Sequence, residues 1–413
     1  MVSASRRSLA GCALLLTFTL AAAAPAWAED DACPPLIPPL DMQKLFTDTT
    51  MTDAERLALM QESSREIRKP VTWSGCHIVT DKIDIFDKVT IAPGTILKFK
   101  ENAGLDIQNG GALDAQGTSD QPVTFTADDE TPGYWYGLYF SSNSSKNRLI
   151  YTNISYAGGN QKGTSGSVMK RAIGDPKPPT RAVMVDEGAS LRMENTHITN
   201  ITGYGIEVLG ALRGFSTNKI DHTDIPARLQ PDAVGMIDAN STFSDSTKNQ
   251  IDLVALGALN HDASWVDAGV PYIWHYSETI AANLELQPGV EIQMGNDAML
   301  SIDDNASLKA IGTEDKPITI HGVSTTPGSW SGIVLNSKSD QNIWKYVRIA
   351  DGGGDGYFKA NIYDGGNLDI SDSWIENSPR AGIRVDKNSG IQGRITMADI
   401  HYKDNKTDYL ETK

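Results

Sequence analysis

Basic residues are in deficit along this chain: 36 Lys and Arg stand against 52 Asp and Glu, for a net charge of −16. A surface so acidic argues against nucleic acid or an anionic membrane as partner, and the acidity reads as solubility of a surface-rich molecule. Beyond residue 28 no run is long and apolar enough to cross a bilayer, so no transmembrane segment is expected. G-x-S-x-G, H-E-x-x-H and G-x-x-x-x-G-K are all missing, and no two cysteines sit at metal-binding spacing. These absences remove the standard nucleophile, zinc-protease and nucleotide-phosphate classes, and they imply no cofactor. His77, His197, His222, His261, His275, His321 and His401 are scattered, none at a spacing that makes a metal site, and they read as surface or turn residues. Cysteine is scarce too, at Cys12, Cys33 and Cys76.

The first 28 residues read as an address. Arg6 and Arg7 form a basic start, Ala13 to Ala24 an apolar run, and Ala26-Trp27-Ala28 a small-x-small cleavage site before Glu29. Leu9-Ala10-Gly11-Cys12 has the look of a lipoprotein signal but precedes the apolar run, so lipidation is not expected. The protein is expected to be exported, to the periplasm or outside the cell. Loss of Arg6 and Arg7 changes the charge from −16 to −18. Loss of Cys12 leaves Cys33 and Cys76 as the one intrachain pair, and in an oxidising compartment they are expected to form a disulfide.

What the chain has in abundance is itself. Residues 91 to 159 recur at 286 to 354 with a constant offset of 195 and no gap. Pro93-Gly94 falls on Pro288-Gly289, Gly117-Thr118 on Gly312-Thr313, and Gly133, Trp135 and Gly137 on Gly328, Trp330 and Gly332. Asn147, Tyr151 and Ile154 fall on Asn342, Tyr346 and Ile349. Within the repeat the apolar period is two, as in Leu105 and Ile107, Val123 and Phe125, or Leu138 and Phe140. Each run is short and closed by Gly, Asn, Asp or a Pro turn. Strands that short bury nothing alone and must stack on copies of themselves.

The phrases PG-x-x-(L/I), L-x-A-x-G-T-x-x-x-P-(I/V)-x-(F/I) and G-x-W-x-G-(I/L) resemble those of bacterial secreted right-handed parallel β-helix proteins of the pectin-lyase-like fold. The resemblance covers roughly residues 70 to 413. It implies an all-β chain: a right-handed parallel β-helix, or solenoid, with a short helical N-terminal cap and an internal duplication of about 195 residues. One such fold hosts many activities, so the resemblance says little about function.

Taken in order, residues 29–69 are expected to cap the open end of the coil. A Pro-rich stretch leads to a helix near 52–68, opened by the capping box Thr52-Asp53-Ala54-Glu55, with Leu57, Met60 and Ile67 on one face. The β-helix then spans 70–413: a first unit at 70–206, connecting coils at 207–269 without a flexible linker, and a second unit at 270–413. Leu191, Thr196, Ile198, Asn200 and Gly205 match Leu368, Ser373, Ile375, Asn377 and Gly382 at an offset of 177. Eighteen extra residues therefore sit in one loop of the first unit, between Gly159 and Arg181, which carries Lys162, Lys170, Arg171 and Lys177. Loops of that kind are tolerated at small cost, and the bland account is a mobile insertion.

The second unit has Asp351-Gly-Gly-Gly-Asp355 at that corner. Asp351 and Asp355 are weak candidates for a hard cation, against a plain Gly-rich turn. Tyr134 and Tyr136 face Ser329 and Ser331 in the repeat, so folding does not require them; alternation with Trp135 points them outward, as stacking surfaces for sugar rings, with core packing at a coil corner as the competing account. With Lys170 and Arg171 they form the candidate binding rim. The function expected is that of an exported scaffold or binding module for a glycan or cell-envelope partner, without catalysis. The alternative is a polysaccharide lyase or glycoside hydrolase with carboxylates on one face of the coil. N-T-D, G-H-G and R-I-K, typical of polygalacturonases of this fold, are missing. Asp106 with Asp128 or Asp129 would be the pair to consider.

Overall fold

Short alternating runs fold as strands whose apolar residues point one way. In the computed structural model, which describes residues 33–159, 180–254, 258–387 and 393–412, three strands make each turn of a coil. Lys82–Ile85, Lys88–Ile91 and Ile96–Phe99 are followed by Gly104–Ile107, Ala112–Gln116 and Val123–Ala127, each lying parallel on its predecessor. The chain is a parallel β-helix. One inward column runs Ile83, Leu105, Leu138, Val183, Ile206, Ala227, Ile251, Tyr272, Ile292, Ile320, Ile349, Ile375. All twelve are buried, so the core is continuous through both units and the coils between them.

The repeat places strands residue for residue. Ala112–Gln116, Val123–Ala127, Gly137–Phe140 and Arg148–Ile150 return 195 residues later as Ser307–Ile311, Ile318–Gly322, Gly332–Leu335 and Ile343–Lys345. The shared residues hold the corners. Asn147 Oδ1 accepts from the Leu113 amide at 3.2 Å while its Nδ2 donates to the Ser142 and Ser190 carbonyls. Asn342 Oδ1 accepts from Leu308 at 2.9 Å and its Nδ2 donates to the Ser337 carbonyl. Both asparagines are buried and stand in for a backbone pairing the corner cannot make. Trp135 and Trp330 each fill the core and donate Nε1 to a backbone carbonyl at 2.7 Å. Tyr151 and Tyr346 turn the chain with φ of 46° and 50°.

The two units share a pattern but not an orientation. The largest sheet takes Gly104–Ile107 and Gly137–Phe140 from the first unit, yet from the second it takes Glu291–Met294 and Ile318–Gly322. The repeat counterparts of those last two, Ile96–Phe99 and Val123–Ala127, lie in a different sheet of the first unit. The connecting coils thus complete no whole number of turns, and the second unit is rotated by one face about the coil axis.

At the N-terminal end, Pro34–Leu36 bonds to the edge of the strand Cys76–Val79 through Ile78. Helix α1 (Met42–Thr47) buries Leu45, and helix α2 (Asp53–Glu62) begins with the Thr52–Glu55 capping box. Helix α2 stops at Glu62, short of residue 68, because Glu66–Ile67 is a strand paired with Asp84 and Ile85. Its Leu57 and Met60 are exposed, so the apolar contact with the coil at this end comes from Leu36, Ile37 and Ile67. Cys33 and Cys76 form the expected disulfide.

Candidate functional site: a polar cleft on the shared sheet

Alternation that drives apolar residues inward sets a row of residues, all but one charged or polar, on the outer face of the largest sheet. Along it Asp84, Asp106, Tyr139, Met184, Glu207, Arg228 and Asp252 occupy successive turns in register. Lys82 donates to Asp106 Oδ2 at 2.7 Å. Burial pushes the Asp106 carboxyl up against the opposing pull of Lys82. Tyr139 donates to Asp186 at 2.8 Å. Glu207 is held from both sides, by Arg181 Nε at 3.0 Å and Arg228 Nη1 at 3.2 Å. All three members of that triad are buried, so their charges hold only as a set.

At the end of this row, where the first unit gives way to the second, the face opens into a cleft of ≈ 480 Å³. Asp252, on the strand Ile251–Leu253, is its centre. It accepts from Tyr204 Oη at 2.8 Å and Gln250 Nε2 at 2.6 Å, and lies 3.0 Å from His275 Nε2. Burial raises the carboxyl, but hydrogen bonds and the neighbouring imidazole outweigh it and hold Asp252 below the usual range, ionised. Burial, with Asp252 beside it, pushes the Tyr204 phenol far up, so it stays a neutral donor. The Arg228 guanidinium lies 5.8 Å over the Tyr204 ring. Lys248, Tyr276, Asn296 and Val323 complete the walls, with Tyr276 40% and Val323 53% exposed. Fixed donors, two cations and apolar surface thus meet in one concavity, the mixture that orients a polar ligand.

The residues singled out from the sequence lie elsewhere. Tyr136 is 5% exposed, not an outward platform: its ring lies against Gly104, where even a Cβ would clash. Its hydroxyl stands beside Asp106 without closing a hydrogen bond. Tyr134 is half-buried against the core. Lys170 and Arg171 lie outside the described residues. Asp351 is buried and accepts from Asn377 at 2.6 Å, whereas Asp355 caps the Tyr357 and Phe358 amides. The pair therefore shapes a Gly-rich turn, and among the described residues no group of three acidic, His or Cys side chains is arranged to hold a metal. Asp106 bonds Lys82 while Asp128 bonds Lys100, each carboxylate neutralised by its own cation.

The cleft escaped the sequence reading because most of its residues fall between the copies, where the repeat supplies no counterpart to compare. The histidines also proved to be partnered: His275 with Asp252, and His197 and His222 with Asp221. Only the fold brings His275 to Asp252 and His197 to Asp221, across roughly one turn of coil, whereas His222 and Asp221 are neighbours in sequence.

No family model matches the chain, and no curated protein matches it. Among solved structures, the Streptococcus pneumoniae surface protein and adhesin PfbA is similar at 11% identity, over 82% of this chain and 91% of that one, with a TM-score of 0.21. A likeness that slight transfers no function.

Proposed function

We propose that the protein is an exported β-helix binding module whose cleft over Asp252 seats a glycan or another cell-envelope polymer. The observation that carries this is the meeting of a partly exposed aromatic ring, Tyr276, with hydrogen-bonding and cationic groups from Arg228, Lys248, Gln250 and Asn296 in one cavity. Amphipathic rings cover sugar faces at low entropic cost, and the fixed donors select hydroxyl or anionic substituents. Export accords with the disulfide, and among the described residues no helix is long and apolar enough to cross a membrane. In this reading the described part of the segment 29–69 acts as the N-terminal cap. The test is calorimetric titration with a panel of envelope and plant polysaccharides. Tyr276→Ala and Lys248→Ala should each weaken whatever binding is found by about tenfold, 1.4 kcal/mol. Equal binding by both folded variants, or no binding to any polymer, refutes the cleft.

The Asp252–His275 hydrogen bond favours a second reading, a polysaccharide-cleaving enzyme with His275 as proton carrier and Asp252 orienting it. Product release from the same panel, abolished by His275→Ala, would establish it over the first.

A further inference from the structure

The solenoid interior is apolar almost throughout, and the duplication shows what it needs at each position. In the first unit one inward column reads Ile107, Phe140, Val185, Val208. The matching column of the second unit reads Ile302, Leu335, Asp364, Val385. Asp364 therefore points into the coil where the first unit places Val185. It is 1% exposed, yet its one hydrogen bond among the described residues is from the Gly366 amide to Oδ1 at 3.1 Å. A buried carboxyl without a cation is costly, and nothing in the fold asks for it there.

Asp364 lines a cavity of ≈ 640 Å³ inside the last turns of the coil. Val385, Ile395, Met397 and Tyr409 supply the apolar and aromatic part of the wall, with Met397 38% exposed, and Asp386, Lys387, Arg394 and Glu411 supply charge. The charged groups at the rim are already engaged. Lys387 pairs with Glu411, Arg394 with Asp340, and Asp386 accepts from Tyr363 at 2.8 Å. Among the described residues, Asp364 is left as the carboxyl with no cation of its own, beside the apolar part of the wall.

We propose that this cavity binds an organic ammonium ion, its charged head on Asp364 and its alkyl body against Val385, Ile395, Met397 and Tyr409. Burial pushes the Asp364 carboxyl up to about 7, against the pull of the Gly366 amide, and a cation beside it restores the charged form. The site lies inside the coil, apart from the outer cleft, and stands or falls independently of it.

The probe is n-butylammonium chloride, titrated at pH 8 into the whole protein and followed by calorimetry, with n-butanol and sodium chloride as controls. Saturable binding of n-butylammonium, and none of n-butanol over the same range, is the expected result. Asp364→Val, which restores the first unit's residue, should lose at least tenfold in affinity and keep the strand signal in circular dichroism. Should that variant fail to fold, Asp364→Asn keeps the shape without the charge and must show the same loss. If both fail to fold, selectivity of the unaltered protein for n-butylammonium over n-butanol decides. Equal binding of the alcohol, undiminished binding by a folded variant, or no response beyond that of sodium chloride overturns the assignment.

Discussion

Ile83 and Glu278 hold the same place in the two copies of the coil. Each points inward one turn before a buried leucine, Leu105 for the first and Leu300 for the second. Beside Glu278 lies the indole of Trp274, 5.4 Å from that of Trp265. Burial pushes the Glu278 carboxyl up to about 7 from an ordinary 4.5, with only the Thr279 amide and the Trp274 indole pulling down.

Because the folded pKa of Glu278 is the higher one, its protonated form is favoured in the fold. Stability from this group is complete below pH 4.5 and is lost as pH rises through about 7. Glu278→Ile, the residue of the first copy, should remove that loss. At pH 8 it should gain about 3 kcal/mol relative to its effect at pH 4, the equivalent of the shift. Denaturant unfolding at the two pH values measures it, and a variant with the same pH dependence as the unaltered protein contradicts the burial argument.

Asn147 and Asn342 should be equally intolerant of alanine. Each variant strands a buried amide of the previous turn and frees carbonyls that had a donor, at about 1–3 kcal/mol per unpaired group. Chemical denaturation should show both variants destabilised by similar amounts. A loss confined to one copy would mean the corners are not equivalent.

The Cys33–Cys76 bond should leave no reactive thiol in the mature, unreduced protein. Its reduction should cost about 3–4 kcal/mol, since it closes a long loop of the unfolded chain. Thiol titration in denaturant decides the first point and melting with and without reductant the second.

Deletion of residues 162–178 tests whether Lys170 and Arg171 serve binding. The second copy closes the same corner without an insert, so the loss in stability should stay below about 1 kcal/mol. Any binding to an anionic polymer should weaken, and more so at low salt, where charge attraction is least screened. A deletion that unfolds the coil makes the insert structural, and one that leaves binding untouched makes it idle.

The sequence by itself determined the coil. A two-residue apolar period and a repeat at 195 leave stacked parallel strands as the way to bury those faces, so strand positions, corner asparagines and the disulfide were all legible in it. The same repeat marked Trp135 and Trp330 as structural, because a residue kept in both copies is tied to what the copies share. Tertiary structure alone decided which side chains meet across turns. Contacts such as Tyr204 with Asp252 join residues 48 apart, and the connecting coils offer no second copy in which to recognise them. It also decided exposure. Alternation gives the face on which Tyr136 lies, but Gly104 in the turn below leaves room for the ring to lie flat and be covered. The rotation of one unit against the other has the same origin: it depends on how many faces the irregular coils traverse, a sum over contacts that no local pattern records.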